Sequence, residues 1–94
     1  NTSEVIVIHG ARQTGKTTLM KIIMQDLPED LTWYFDLEDS RFKQLLEEGM
    51  DSVIRFLKQK GFYKDQKKIY LFVDEIQYLD NPSSFLKLFI TLPL

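Results

Sequence analysis

The sequence predicts an α/β fold built on a parallel sheet. Three observations carry this expectation. Apolar, β-forming runs alternate with helical patterns along the whole chain. The run Val5-Ile6-Val7-Ile8 passes through a glycine-containing turn into the helical pattern Thr18-Leu19-Met20-Lys21-Ile22-Ile23-Met24. Further on, Ile69-Tyr70-Leu71-Phe72-Val73 has the near-continuous apolar character of a strand covered on both faces, and it ends in the acids Asp74-Glu75.

Each element follows from local chemistry. The first strand is expected over about Val5 to His9, and the first helix from Lys16 or Thr17 to about Asp26. Pro28 disfavours helical geometry at the residue before it and closes that helix. Thr32-Trp33-Tyr34-Phe35-Asp36-Leu37 reads as a second strand with an acidic outlet. Asp39 or Ser40 can cap a short helix that runs through about Glu47 and stops near Gly49. Asp51 or Ser52 starts another, ending at Gly61, in which Val53, Ile54 and Leu57 share one face. After the third strand, Asp80-Asn81-Pro82 combines a capping side chain with proline in the first turn. The helix from about Ser83 is expected to carry Phe85, Leu86, Leu88, Phe89 and Ile90 on a broad apolar face. No internal repeat, low-complexity tract or domain linker interrupts this order.

The turn between the first strand and helix, Gly10-Ala11-Arg12-Gln13-Thr14-Gly15-Lys16-Thr17, spells a phosphate-binding P-loop, the Walker A motif. A loop wrapped around a polyphosphate must aim successive backbone N–H groups inward. Gly10 and Gly15 permit the backbone angles and close approach that a β-carbon blocks. The helix that follows adds its dipole and unpaired N–H groups, including those near Thr18. Lys16 is expected to reach the β- and γ-phosphates, and the Thr17 hydroxyl to ligate the Mg²⁺ that bridges them. Glycine in an ordinary strand-to-helix turn is the plainer alternative, and the flanking strand and helix argue against it. Arg12 touches phosphate or, as the better expectation, points away.

Residues 69–75 supply the matching Walker B strand. Its carboxyl end should face the phosphates, because ligands of open α/β sheets bind there. Asp74 then holds Mg²⁺ largely through water. Glu75 beside it can accept a proton from the water that attacks the γ-phosphate, which favours hydrolysis; capping or solvating the next helix is its structural alternative. A GTPase would usually show Asp-x-x-Gly here, whereas this chain has Asp74-Glu75-Ile76-Gln77. Asp36, Glu38 and Asp39 either support the metal site or an acceptor, or serve as helix cap and solvated surface.

Three blocks carry a resemblance: His9 to Leu19, then Phe35-Asp36-Leu37-Glu38-Asp39, then Val73-Asp74-Glu75-Ile76-Gln77-Tyr78-Leu79. Together they resemble the AAA-type ATPases of the additional-strand catalytic-glutamate division of P-loop proteins, and more narrowly the prokaryotic members with a C-terminal domain of unknown function. The resemblance implies ATP over GTP, and Mg²⁺-dependent hydrolysis that drives a conformational change in a larger protein. It also implies that a sensor strand lies between the P-loop and Walker B strands, and the chain is expected to end before that strand. Either another chain, a second copy or a terminal segment then fills the gap, or the two strands pair directly in a rearranged sheet. Both outcomes are expected to draw Asp74 away from Lys16. A slowly hydrolysing ATP-dependent switch, a P-loop small-molecule kinase using Asp36 or Glu75 as base, and a structural unit with a dead site are the alternatives.

The chain has 94 residues. Complete α/β domains of this kind are expected to exceed about 150 residues, so residues 1–94 are read as the N-terminal part of one ATPase domain. With no Cys, neither a disulfide scaffold nor a thiolate metal site can form within these residues. His9 is the single His and is read as structural. No apolar stretch approaches the ~20 residues needed to span a bilayer, and a cytoplasmic setting is expected. A net charge of −2 gives no global attraction for nucleic acid. Lys58 to Lys68 contains five Lys and one acid with Phe62-Tyr63; a solvated loop is the better reading, and phosphate or base contact stays open.

Overall fold

The structure is a computed structural model that describes residues 4–10, 15–62, 68–87 and 89–94. Among these, four parallel strands form one sheet: β1 (Glu4–Gly10), β2 (Thr32–Asp36), β3 (Lys68–Asp74) and β4 (Ile90–Pro93), in the spatial order β2-β3-β1-β4. The helices α1 (Lys16–Met24), α2 (Ser40–Glu47), α3 (Met50–Gln59) and α4 (Pro82–Leu86) lie in the connections that parallel pairing requires. No helix among the described residues is long and apolar enough to cross a membrane.

Alternation along the strands divides the interior into two layers. Val7, Phe35, Ile69, Leu71 and Val73 join Leu46, Val53, Leu57 and Phe85 on one face, beneath α2, α3 and α4. Ile8 and Phe72 meet Met20 of α1 on the other, with Ile6, Ile23, Met24, Tyr34 and Tyr70 around them. This period of two puts Tyr34, Phe72 and the acids two residues after each on the α1 side.

Of the two arrangements expected for the sheet, direct pairing is the one observed. β1 and β3 are neighbours over their whole length, from Glu4↔Lys68 to Gly10↔Asp74, in place of the intervening strand that the resemblance implies. The outer edge of β1 is taken by β4, with Ile6↔Ile90 to His9↔Pro93 in register. Ile90 was expected on the last helix; α4 instead ends at Leu86, and Ile90 and Thr91 are strand residues. The open edge of β1 offers these β-branched residues backbone hydrogen bonds that one more helical turn would not supply to that edge. Pro93 is tolerated because β4 is an edge strand.

Caps place the remaining helices. Asp39 accepts the Arg41 N–H and starts α2, and Asn81 accepts the Ser84 N–H ahead of Pro82 in α4. The start of α3 differs from expectation: it begins at Met50, one residue before Asp51, because Gly49 adopts φ +110° and turns the chain directly into the helix.

Leu57 is fully buried, whereas Ile22 on α1 is 54% exposed. Leu57→Ala should therefore lower unfolding stability by about 2–5 kcal/mol. Ile22→Ala should stay within about 0.5 kcal/mol of the parent. Chemical denaturation of both variants checks the layer assignment, and equal losses would contradict it.

Candidate functional site

Register alone brings the carboxyl ends of three strands together. Gly10 pairs with Asp74, and Asp74 pairs with Asp36. The first turn of α1 faces them. Gly15 precedes it at φ +83°, a left-handed conformation that disfavours any side chain. Among the described residues no side chain caps this helix start and no acid stands in its first turn, so the positive end of its dipole suits an anion.

Lys16 is buried, and its aliphatic stem lies across Gly10, where a β-carbon would collide with it. Glycine at position 10 thus makes room for the lysine. The Lys16 ammonium donates to the backbone carbonyl of Leu94, whose own N–H donates to the His9 carbonyl at 2.9 Å. Burial, followed by the nearby Lys16 charge, lowers the pKa of His9 below its ordinary 6.5.

Asp74 is only 2% exposed and accepts three hydrogen bonds from among the described residues. The Thr17 hydroxyl donates to Oδ2 at 2.6 Å, the Tyr34 hydroxyl donates to the same oxygen at 2.6 Å, and the Glu75 N–H donates to Oδ1 at 2.9 Å. A carboxylate removed from water needs such donors. Burial, then the hydrogen bond to Asp74, pushes the Tyr34 phenol well above its usual range, so it remains a proton donor. With β1 paired directly to β3, Asp74 sits against Thr17 in the first turn of α1.

Glu75 leaves β3 at φ 61°, ψ 47°, and is the one non-glycine with positive φ among the described residues. Such a conformation costs on the order of 1–3 kcal/mol and collects at functional turns. Its Oε1 accepts from the Gln77 side chain at 2.7 Å.

The sequence candidates thus divide. Gly10, Gly15, Lys16, Thr17 and Asp74 converge, and Glu75 follows directly. Thr18 is exposed on the first turn of α1. Ala11, Arg12, Gln13 and Thr14 lie outside the described residues, as do Tyr63 to Lys67 of the lysine-rich stretch and Leu88. Asp39 serves as a helix cap and holds Arg41, and Asp36 accepts the Glu38 N–H at 3.0 Å. Tyr34 was read only as a β-former. Its shared face with Asp36 was visible in the sequence, but its reach to Asp74 depends on the β2–β3 register.

The donor set suits a hard cation. Thr17 gives its proton to Asp74 and keeps oxygen lone pairs for a ligand bond, and both groups are the oxygen donors that Mg²⁺ takes. No cluster of three or more His, Cys, Asp or Glu able to hold a metal occurs among the described residues, so further ligands would come from water or a bound phosphate.

A family model described as an AAA domain matches residues 2–92. No curated protein and no solved structure matches the chain.

Because the fold favours neutral His9, its stability contribution is complete above pH 6.5 and is lost as pH falls through the lowered value. As the only His in the sequence, its NMR titration is unambiguous. A midpoint below 6.5 is expected; one at or above 6.5 would contradict the burial of this ring beside Lys16.

Proposed function

The chain belongs to the AAA domain family, whose members are nucleotide-binding ATPases in the general sense, and from that premise we propose that it binds Mg²⁺-ATP and hydrolyses it in the cytoplasm to drive a conformational change in a larger protein. The observation that carries this reading is the 2.6 Å hydrogen bond from Thr17, at the start of α1, to Asp74, at the end of β3. It joins the two halves of a P-loop site through the atoms that a bridging cation would use.

In this reading the backbone from Gly10 through Ala11, Arg12, Gln13 and Thr14 to Gly15, with the N–H groups of Lys16, Thr17 and Thr18, receives the phosphates. Lys16 exchanges the Leu94 carbonyl for β- and γ-phosphate oxygens, a stronger partner for an ammonium. Thr17 and Asp74 would hold Mg²⁺, which would neutralise phosphate charge. Glu75 takes a proton from water as the water oxygen bonds to the γ-phosphorus and the bond to the ADP oxygen breaks. The positive-φ turn that sets Glu75 apart from the buried Asp74 supports separate roles for these adjacent acids.

Lys16→Ala should abolish tight triphosphate binding, whereas Glu75→Gln should bind ATP and slow its hydrolysis by ~10²–10⁴. Equilibrium binding and single-turnover hydrolysis in the full-length protein separate the two phenotypes. A Glu75→Gln protein that turns over at the parent rate would overturn the proton-acceptor role. Thr17→Ala and Asp74→Asn should weaken binding in Mg²⁺ much more than in EDTA, and equal losses would remove their metal roles.

A further inference from the structure

Asp74 Oδ2 receives two hydroxyl protons, and only one of them belongs to the P-loop helix. The second comes from Tyr34 on β2, across the neighbouring strand pair. Tyr34 registers with Phe72, two residues before Asp74, and both positions lie on the α1 side of the sheet. A tyrosine is long enough to reach the next same-face position of the adjacent strand, and its hydroxyl ends 2.6 Å from the carboxylate.

Packing holds the phenol in place. Its ring packs against the layer formed by Ile8, Met20 and Phe72. Glu75 N–H fixes the other carboxylate oxygen. With both oxygens restrained, the Asp74 carboxylate has one orientation, set before any ligand arrives, and Thr17 is aligned through it.

From this arrangement we propose that Tyr34 is a positioning residue for the metal site: its hydroxyl holds Asp74 in the orientation that Mg²⁺-ATP requires. The inference rests on the Mg²⁺-ATP reading of the site and names a residue that reading does not use. Tyr34 touches neither nucleotide nor reacting atoms and acts through Asp74 and the Thr17 hydroxyl beside it. Partners that orient a metal ligand typically change metal affinity by about 10–100-fold when removed.

The test is Tyr34→Phe, which deletes one oxygen and retains the ring. ATP binding is measured in the full-length protein over a Mg²⁺ titration and again in EDTA, beside the melting temperature. The expected result is a rise of about tenfold or more in the Mg²⁺ concentration needed for half-maximal ATP binding, with affinity in EDTA unchanged. In an Asp74→Asn background the same substitution should have a much smaller effect on the Mg²⁺ dependence than it has in the parent. An unchanged Mg²⁺ midpoint in Tyr34→Phe would overturn the proposal while leaving the nucleotide site intact, as would an equal loss with and without Mg²⁺ or a full additional loss in the Asp74→Asn background. If Tyr34→Phe does not fold, Tyr34→His and Tyr34→Gln, which keep a hydrogen-bond donor, replace it; their Mg²⁺ midpoint must still shift, because the donor is displaced from Asp74. A parent protein whose ATP binding ignores Mg²⁺ would overturn the underlying reading as well.

Discussion

A carboxylate buried at the end of a central strand is stable only where donors replace the water it has lost, and Asp74 shows how the rest of this molecule is arranged around that requirement. Its three donors come from three places in the chain: Thr17 from the helix after the glycine-containing turn, Tyr34 from β2, and the Glu75 N–H from the turn that follows. Only Glu75 adjoins Asp74 in sequence; Thr17 and Tyr34 lie 57 and 40 residues away from it. Parallel register of β2, β3 and β1 is what assembles them, with Asp36, Asp74 and Gly10 at one level. Slipping either pair by one residue would move the acid to the opposite face, under α2 and α3, where the layer is apolar.

The apolar layers explain why the register is secure. Val7, Leu71, Val73 and Phe35 are fully buried, and Phe35 packs edge-on to Phe42 with ring centroids 5.2 Å apart. Trp33 similarly meets Phe56 and Phe62 edge-on. These contacts pin α2 and α3 over β2 and β3. The α1 layer is thinner, since Leu19 and Ile22 remain exposed, and α1 is located by Met20 with Ile23 and Met24 and by the polar link from Thr17. The link on which nucleotide chemistry is proposed to depend therefore also contributes to seating its own helix.

Much of this was legible in the sequence, and the reasons for the failures are physical. The first three strands, the caps Asp39 and Asn81 with Pro82, and the encounter of the glycine-containing turn with Asp74 follow from local patterns that the structure repeats. Ile90 was misplaced because a run of apolar residues fits a helix face and a covered strand equally well, and a free strand edge decides between them. The start of α3 was missed by one residue because Gly49, not a polar cap, makes that turn. Tyr34 could not be recognised as part of the site from its neighbours in sequence, since its partner is two residues further along a strand reached only after two helices.

The most direct measurement is a structure of the protein with Mg²⁺ and a non-hydrolysable ATP analogue. The account predicts the triphosphate at the turn between β1 and α1, Lys16 moved from the Leu94 carbonyl to phosphate oxygen, and Thr17 on the cation while still bonded to Asp74. An analogue bound elsewhere, or one seated at this turn with Lys16 still on Leu94 and the cation away from Thr17 and Asp74, would contradict it.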